Sequence, residues 1–156
     1  MSTIKSPLPE EALEVAALAL HDTLVDLVDL ALVGKQAHWN VTGPRFRTIH
    51  FQLDEVVATA RTHADTIAER TATIGVPADA RVATVAKETR ISQVDAGWLR
   101  DDDVVAMFVR IYGEAIERLR RRAADTERAD PVTNNILVDI IQDLEKQYWM
   151  WQAETG

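Results

Sequence analysis

The chain has 156 residues, 47% of them hydrophobic, which suits one domain with a sizeable core rather than two domains or a disordered segment. Asp and Glu number 25 against 17 Lys and Arg, a formal net charge of -8 that repels phosphate backbones and favours cations. No cysteine is present, so disulfides, thiolate metal sites and cysteine nucleophiles are excluded.

The opening MSTIKSPLPEE lacks the apolar core of a signal peptide. The most apolar stretch, Val15 to Val33, is interrupted by His21, Asp22, Asp26 and Asp29, which argues against a membrane span. A soluble cytoplasmic protein with no membrane partner is expected. Residues 1–9 form a short tail, and 10–153 form the domain.

Four long segments have helical periodicity. The first begins after Pro9, with Glu10 and Glu11 in its opening turn where the helix dipole favours acids, and runs to about Trp39. The second spans about Arg45 to Ile74 and ends at Gly75 and Pro77. The third opens on Asp101-Asp102-Asp103, a capping and dipole signal, and carries Val104, Val105, Phe108, Ile111, Ala115 and Leu119 on one stripe. The fourth starts near Pro131, at a first helical position, and continues to Trp151. The connection 76–99 is long for a compact bundle unless it holds structure of its own, and 82–89 reads as a short helix within it. The expected fold is all-α: a four-helix bundle with one long crossover, the ferritin-like topology.

The chemistry concentrates in KQAHWNVTGPRFRTIHFQLDE, residues 35 to 55. His38 and His50 flank Gly43-Pro44 symmetrically, so they should lie level on adjacent antiparallel helices. On a wheel of 100° per residue with His50 at zero, Asp54 falls at about 40°, Asp65 at about 60° and Glu69 at about 100°. The apolar residues Ile49, Leu53, Val56, Val57, Ala60, Ala64 and Ile67 occupy about 240° to 340°. The four polar residues thus form a stripe beside the core stripe.

One chain cannot gather that stripe into one site, because His50 and Glu69 lie roughly 28 Å apart along a helix. An antiparallel pair of second helices related by a two-fold axis can. Residue numbers facing each other across such an axis have a constant sum, and His50 with Glu69 gives the same sum as Asp54 with Asp65. A crossing near residues 59 and 60 therefore sets His50 opposite the partner subunit's Glu69 and Asp54 opposite the partner subunit's Asp65. Two-fold association is the commonest kind. Two imidazoles (His38, His50) and three carboxylates (Asp54, Asp65, Glu69) make a nitrogen and oxygen set suited to divalent iron, manganese or zinc. Each pair alone would read as an ordinary surface pair, and His21 and His63 are assigned to a solvated face.

These residues carry a resemblance. The stretch quoted above, followed by THADTIAER, closely resembles the Dps proteins, or miniferritins. Lys35, His38, Trp39, Gly43, Phe46, His50, Asp54, Asp65, Ala68, Glu69 and Arg70 all stand at that family's spacing. The resemblance implies that His38, His50 and Asp54 supply one half of an iron-oxidising site and Asp65 and Glu69 the other half across a dimer interface. It implies dimers within a hollow shell of twelve subunits. Iron(II) would be oxidised, by hydrogen peroxide or dioxygen, and stored as ferric mineral. Ordinary ferritins match less well, since no glutamate here has a histidine three residues later.

Trp39, beside His38, has two readings, local electron donor or hydrophobic packing at a helix end. Lys35 lies either behind the ligands or on the surface. The family's acidic three-fold pore maps onto DPVTNNILVD, where Asp130 and Asp139 remain and Asn135 stands at a position where an aspartate is common. Helix capping is the competing reading of Asp130.

DNA binding is expected to be weak or absent. The tail carries one lysine, Lys5, and the run Arg118, Arg120, Arg121 and Arg122 reads as a face ion-paired with Glu114 and Glu117. The alternatives are a DNA-compacting structural protein, opposed by the acidic balance, and a metal-dependent hydrolase at the same site, for which no oxyanion donor is legible.

Overall fold

The structure, a computed structural model, describes residues 3–155. Its helices are α1 (Glu10–Asn40), α2 (Phe46–Thr73), α3 (Val82–Glu88), α4 (Asp101–Ala129) and α5 (Pro131–Ala153). α1 packs along α2 and α4 along α5, with α1 also against α4, giving a four-helix bundle crossed by the segment that holds α3. Ile49, Leu53, Val56, Val57, Ala60 and Ile67 of α2 are buried, as their stripe requires, and Ala64 is half-buried at its edge. Each fully buried Leu or Ile contributes about 1.5–3 kcal/mol of transfer free energy. Among the described residues no helix is long and apolar enough to cross a membrane.

α2 ends as its sequence requires. Gly75 adopts φ +86, and the amides of Gly75 and Val76 return to Ala72 and Thr71. Backbone of the N-terminal tail lies against this turn, with Ser6 N 3.1 Å from where a Gly75 Cβ would stand. α4 and α5 are separated by Asp130 alone, whose carboxylate accepts from the amides of Val132 and Thr133 ahead of Pro131 in the first helical turn.

Three features depart from expectation. Asp101 does not cap α4 through the N-cap position; it is the first helical residue, 2% exposed, and its carboxylate turns toward the α1–α2 connection. Asp26 and Asp29, read as interruptions of an apolar stretch, are buried anchors for the crossover. Asp26 accepts from the Arg90 amide at 3.0 Å, and Asp29 from the Thr89 hydroxyl at 2.6 Å and Gln93 at 2.7 Å. The basic run is also not one surface face. Arg118 and Arg122 turn inward to Asp26 at 3.2 and 3.0 Å, Arg120 pairs with Glu145 of α5, and only Arg121 pairs with Glu117. Glu114 instead accepts from the Ser92 hydroxyl.

Two short strands, β1 (Val41–Thr42) and β2 (Leu99–Arg100), form a parallel ladder in the register Val41 to Leu99 and Thr42 to Arg100. The ladder pins the α1–α2 turn to the start of α4.

Candidate metal centre

The site grows from the α1–α2 turn. Gly43 has φ +126, in the region that favours glycine, and a Cβ there would lie 2.5 Å from an Asp101 carboxylate oxygen. The other Asp101 oxygen accepts from the Arg45 amide at 2.8 Å. That hydrogen bond holds the Asp101 carboxyl below the usual carboxylate range against the opposing effect of burial.

The turn sets His38, at the end of α1, against His50, in the second turn of α2. Their rings stack with centroids 3.6 Å apart and planes 20° from parallel. His38 Nδ1 donates to the His50 carbonyl at 2.8 Å, and His50 Nδ1 donates to the His38 carbonyl at 2.8 Å. A carbonyl only accepts, so each neutral ring carries its proton on Nδ1 and leaves a lone pair on Nε2. Neither Nε2 has a hydrogen-bond partner among the described residues. Both imidazoles are thus oriented and in the tautomer that binds a metal.

Asp54 stands one turn beyond His50. It accepts from Lys35 Nζ at 2.6 Å and lies 3.4 Å from His38 Nδ1. The Lys35 hydrogen bond is the main reason its carboxyl is held below the ordinary range, with desolvation opposing. Lys35 is therefore paired with Asp54 rather than free on the surface. Phe46 and Phe51 flank the His50 ring at 5.1 and 5.6 Å. Trp39 is 64% exposed, so the packing reading is not satisfied within this chain. The polar and ring contacts of His38, His50 and Asp54 all stay within α1 and α2.

Asp65 and Glu69 are not brought to these histidines. They are exposed farther along α2, and their carboxylates make no hydrogen bond or ion pair among the described residues. Accordingly no group of three or more His, Asp or Glu side chains able to hold a metal ion forms among the described residues of one chain.

Other expectations need correction. His63 and His21 do not sit on a solvated face alone: His63 Nε2 meets Asp143 of α5 at 2.7 Å, and His21 Nε2 meets Glu88 of α3 at 2.6 Å. Asp130 takes the capping reading: it is 2% exposed and bonded to Arg70 at 2.6 Å while it caps α5. Burial pulls its carboxyl upward, but the Thr133 hydroxyl and the Arg70 guanidinium outweigh that and hold it below the usual range. Asn135 and Asp139 are exposed. Asp101 and Arg45 were not legible as parts of the site's framework; the only trace was the Asp101 triplet, which capping already explained.

Comparison with known proteins places the chain and its fold. A family model described as a ferritin-like domain matches residues 17–156. The chain is 34% identical over 143 residues to DNA protection during starvation protein 2 of Deinococcus radiodurans, covering 92% of this chain and 59% of that relative. It is 33% identical over 150 residues to the DNA protection during starvation protein of Agrobacterium fabrum, covering 96% of this chain and 93% of that one. Among solved structures, Dps from Microbacterium arborescens in the high iron form superposes with a TM-score of 0.90 at 33% identity, covering 96% of this chain and 97% of that one. Mycobacterium smegmatis Dps in a tetragonal form gives 0.92 at 28% identity, covering 99% of this chain and 93% of that one. Family model, relatives and solved structures agree over nearly the whole chain: the chain belongs to the Dps proteins of the ferritin-like family.

Proposed function

We propose that this protein oxidises iron(II) at a site shared between two subunits and stores the product as ferric mineral inside a hollow shell of twelve. His38, His50 and Asp54 come from one subunit, and the partner subunit's Asp65 and Glu69 complete the set. The observation that carries this reading is the reciprocal hydrogen bonding of His38 and His50, which leaves two Nε2 lone pairs beside an ionised Asp54. The carboxylates of Asp65 and Glu69, unpaired among the described residues and on the same helix at matching intervals from a two-fold crossing, support it. Nitrogen and carboxylate oxygen ligands suit iron(II) and favour the higher charge of the ferric product.

Each iron(II) gives up one electron. With hydrogen peroxide, two iron(II) ions supply two electrons, the O–O bond breaks, and two added protons complete two water molecules. Delivering both electrons at one site avoids releasing a hydroxyl radical. Dioxygen is the alternative oxidant.

The relatives' name, DNA protection, fits this chemistry without a bound duplex. The chain carries a net charge of -8, and its one tail lysine lies in a segment laid along the end of α2. The test is absorbance growth from ferric product after iron(II) and peroxide are mixed with the protein, with shell mass measured by light scattering. Rapid growth at a mass of twelve subunits supports the reading; no acceleration over buffer refutes it.

A further inference from the structure

Arg45 is not among the positions singled out for the Dps resemblance, and in sequence it marks only the start of the second helix. The structure gives it a different place. Its amide is held by Asp101, and its guanidinium reaches two other elements: Asp102 at the start of α4, and both the carbonyl (2.7 Å) and the carboxylate (3.2 Å) of Glu154 just beyond α5. Its own carbonyl accepts from the Ile49 amide at 3.0 Å, the residue before His50. Arg45 thus lies on the short covalent path joining His38 to His50 and ties that path to both helices of the opposite pair.

We infer that Arg45 is a positioning residue for the two imidazoles, coupling the C-terminal end of α5 to the metal-binding face. This rests on the iron site proposed above. The reason is tolerance. The two reciprocal bonds are 2.8 Å each, and an N–H···O contact stretched to about 3.6 Å is no longer a hydrogen bond. A shift of the turn by less than 1 Å therefore frees both rings to rotate and to change tautomer. The guanidinium fork satisfies three acceptors on two elements at once in a fixed planar geometry, which a flexible ammonium does not supply. Arg45 touches no substrate and acts only through the geometry of His38 and His50.

The test uses the assembled protein and Co(II) as a redox-inert probe, titrated by visible absorption, beside thermal melting and light scattering. The Co(II) binding of the wild type must disappear in His50→Ala; if it survives, the proposed iron site is wrong, whatever Arg45 does. With that control passed, Arg45→Ala should weaken Co(II) binding at least tenfold at unchanged shell mass, and the absorption spectrum at saturation should change because the rings are no longer fixed. Arg45→Lys should recover part of the affinity. Should Arg45→Ala fail to assemble, Glu154→Ala, which removes the carboxylate contact of the clasp and leaves the carbonyl one, should show a smaller loss with the same spectral change. A lower melting temperature with Co(II) affinity within twofold of wild type and an unaltered spectrum would assign Arg45 to bundle stability alone and overturn the inference.

Discussion

His38 and His50 exchange hydrogen bonds, each donating from Nδ1 to the other's backbone carbonyl at 2.8 Å. The exchange fixes two rings, their tautomers and the spacing of two helices together. Since the partner of each ring is backbone, the arrangement depends on the turn between them and on what holds that turn.

His50→Ala and Asp65→Ala should each slow peroxide-dependent iron oxidation at least tenfold, as the loss of one ligand from a metal site implies. The two residues belong to opposite halves of the proposed site. Mixing the two variants under reassembling conditions should restore part of the rate, because a mixed dimer holds one intact site. Verified mixed dimers that stay inactive would argue against the split site.

Gly43→Ala should lower stability by roughly 2 kcal/mol, read as a shift in denaturant midpoint, since a side chain at φ +126 is strained and its Cβ would collide with Asp101. Co(II) affinity should fall with it. Wild-type stability in this variant would show that the turn is not held as described.

Asp130 and Asp139 should separate cleanly. Asp130→Ala removes the α5 cap and strands the Arg70 guanidinium, costing about 3 kcal/mol by urea titration. Asp139→Asn should leave stability within about 0.5 kcal/mol of wild type, as exposed substitutions do. If exposed Asp139 serves iron entry, the initial rate at low iron(II) should drop in Asp139→Asn alone.

Asp101 sets an acid limit. Its carboxyl is held below the ordinary range, chiefly by the Arg45 amide, so its contribution is fully present above the unfolded value of about 3.9 and is lost as pH falls through the lower folded value. Below about pH 4 the wild type should lose stability more steeply than Asp101→Asn. Parallel curves from pH 5 to pH 2 would contradict this.

The long helices were legible because apolar spacing, Pro131 and Gly75 each act locally. The level placement of His38 and His50 was legible too, from their symmetry about the turn. Asp26 and Asp29 were not: an acid within an apolar run looks the same whether it faces water or accepts from a distant Arg90 amide and Thr89 hydroxyl. The β1–β2 ladder was hidden because two residues carry no periodicity. The capping reading of Asp130 was open in sequence, but its bond to Arg70, sixty positions away, was not legible.

The central claim is that two chains share one iron site, and anomalous diffraction from a crystal soaked in Fe(II) or Co(II) tests it most directly. The matching intervals along α2 place the two sites of a dimer fifteen positions apart about a crossing near residues 59 and 60, roughly 22 Å between metals. Each metal cluster should contact His38, His50 and Asp54 of one subunit and the partner subunit's Asp65 and Glu69. Metal bound wholly within one bundle, or ligated by His63, would contradict it.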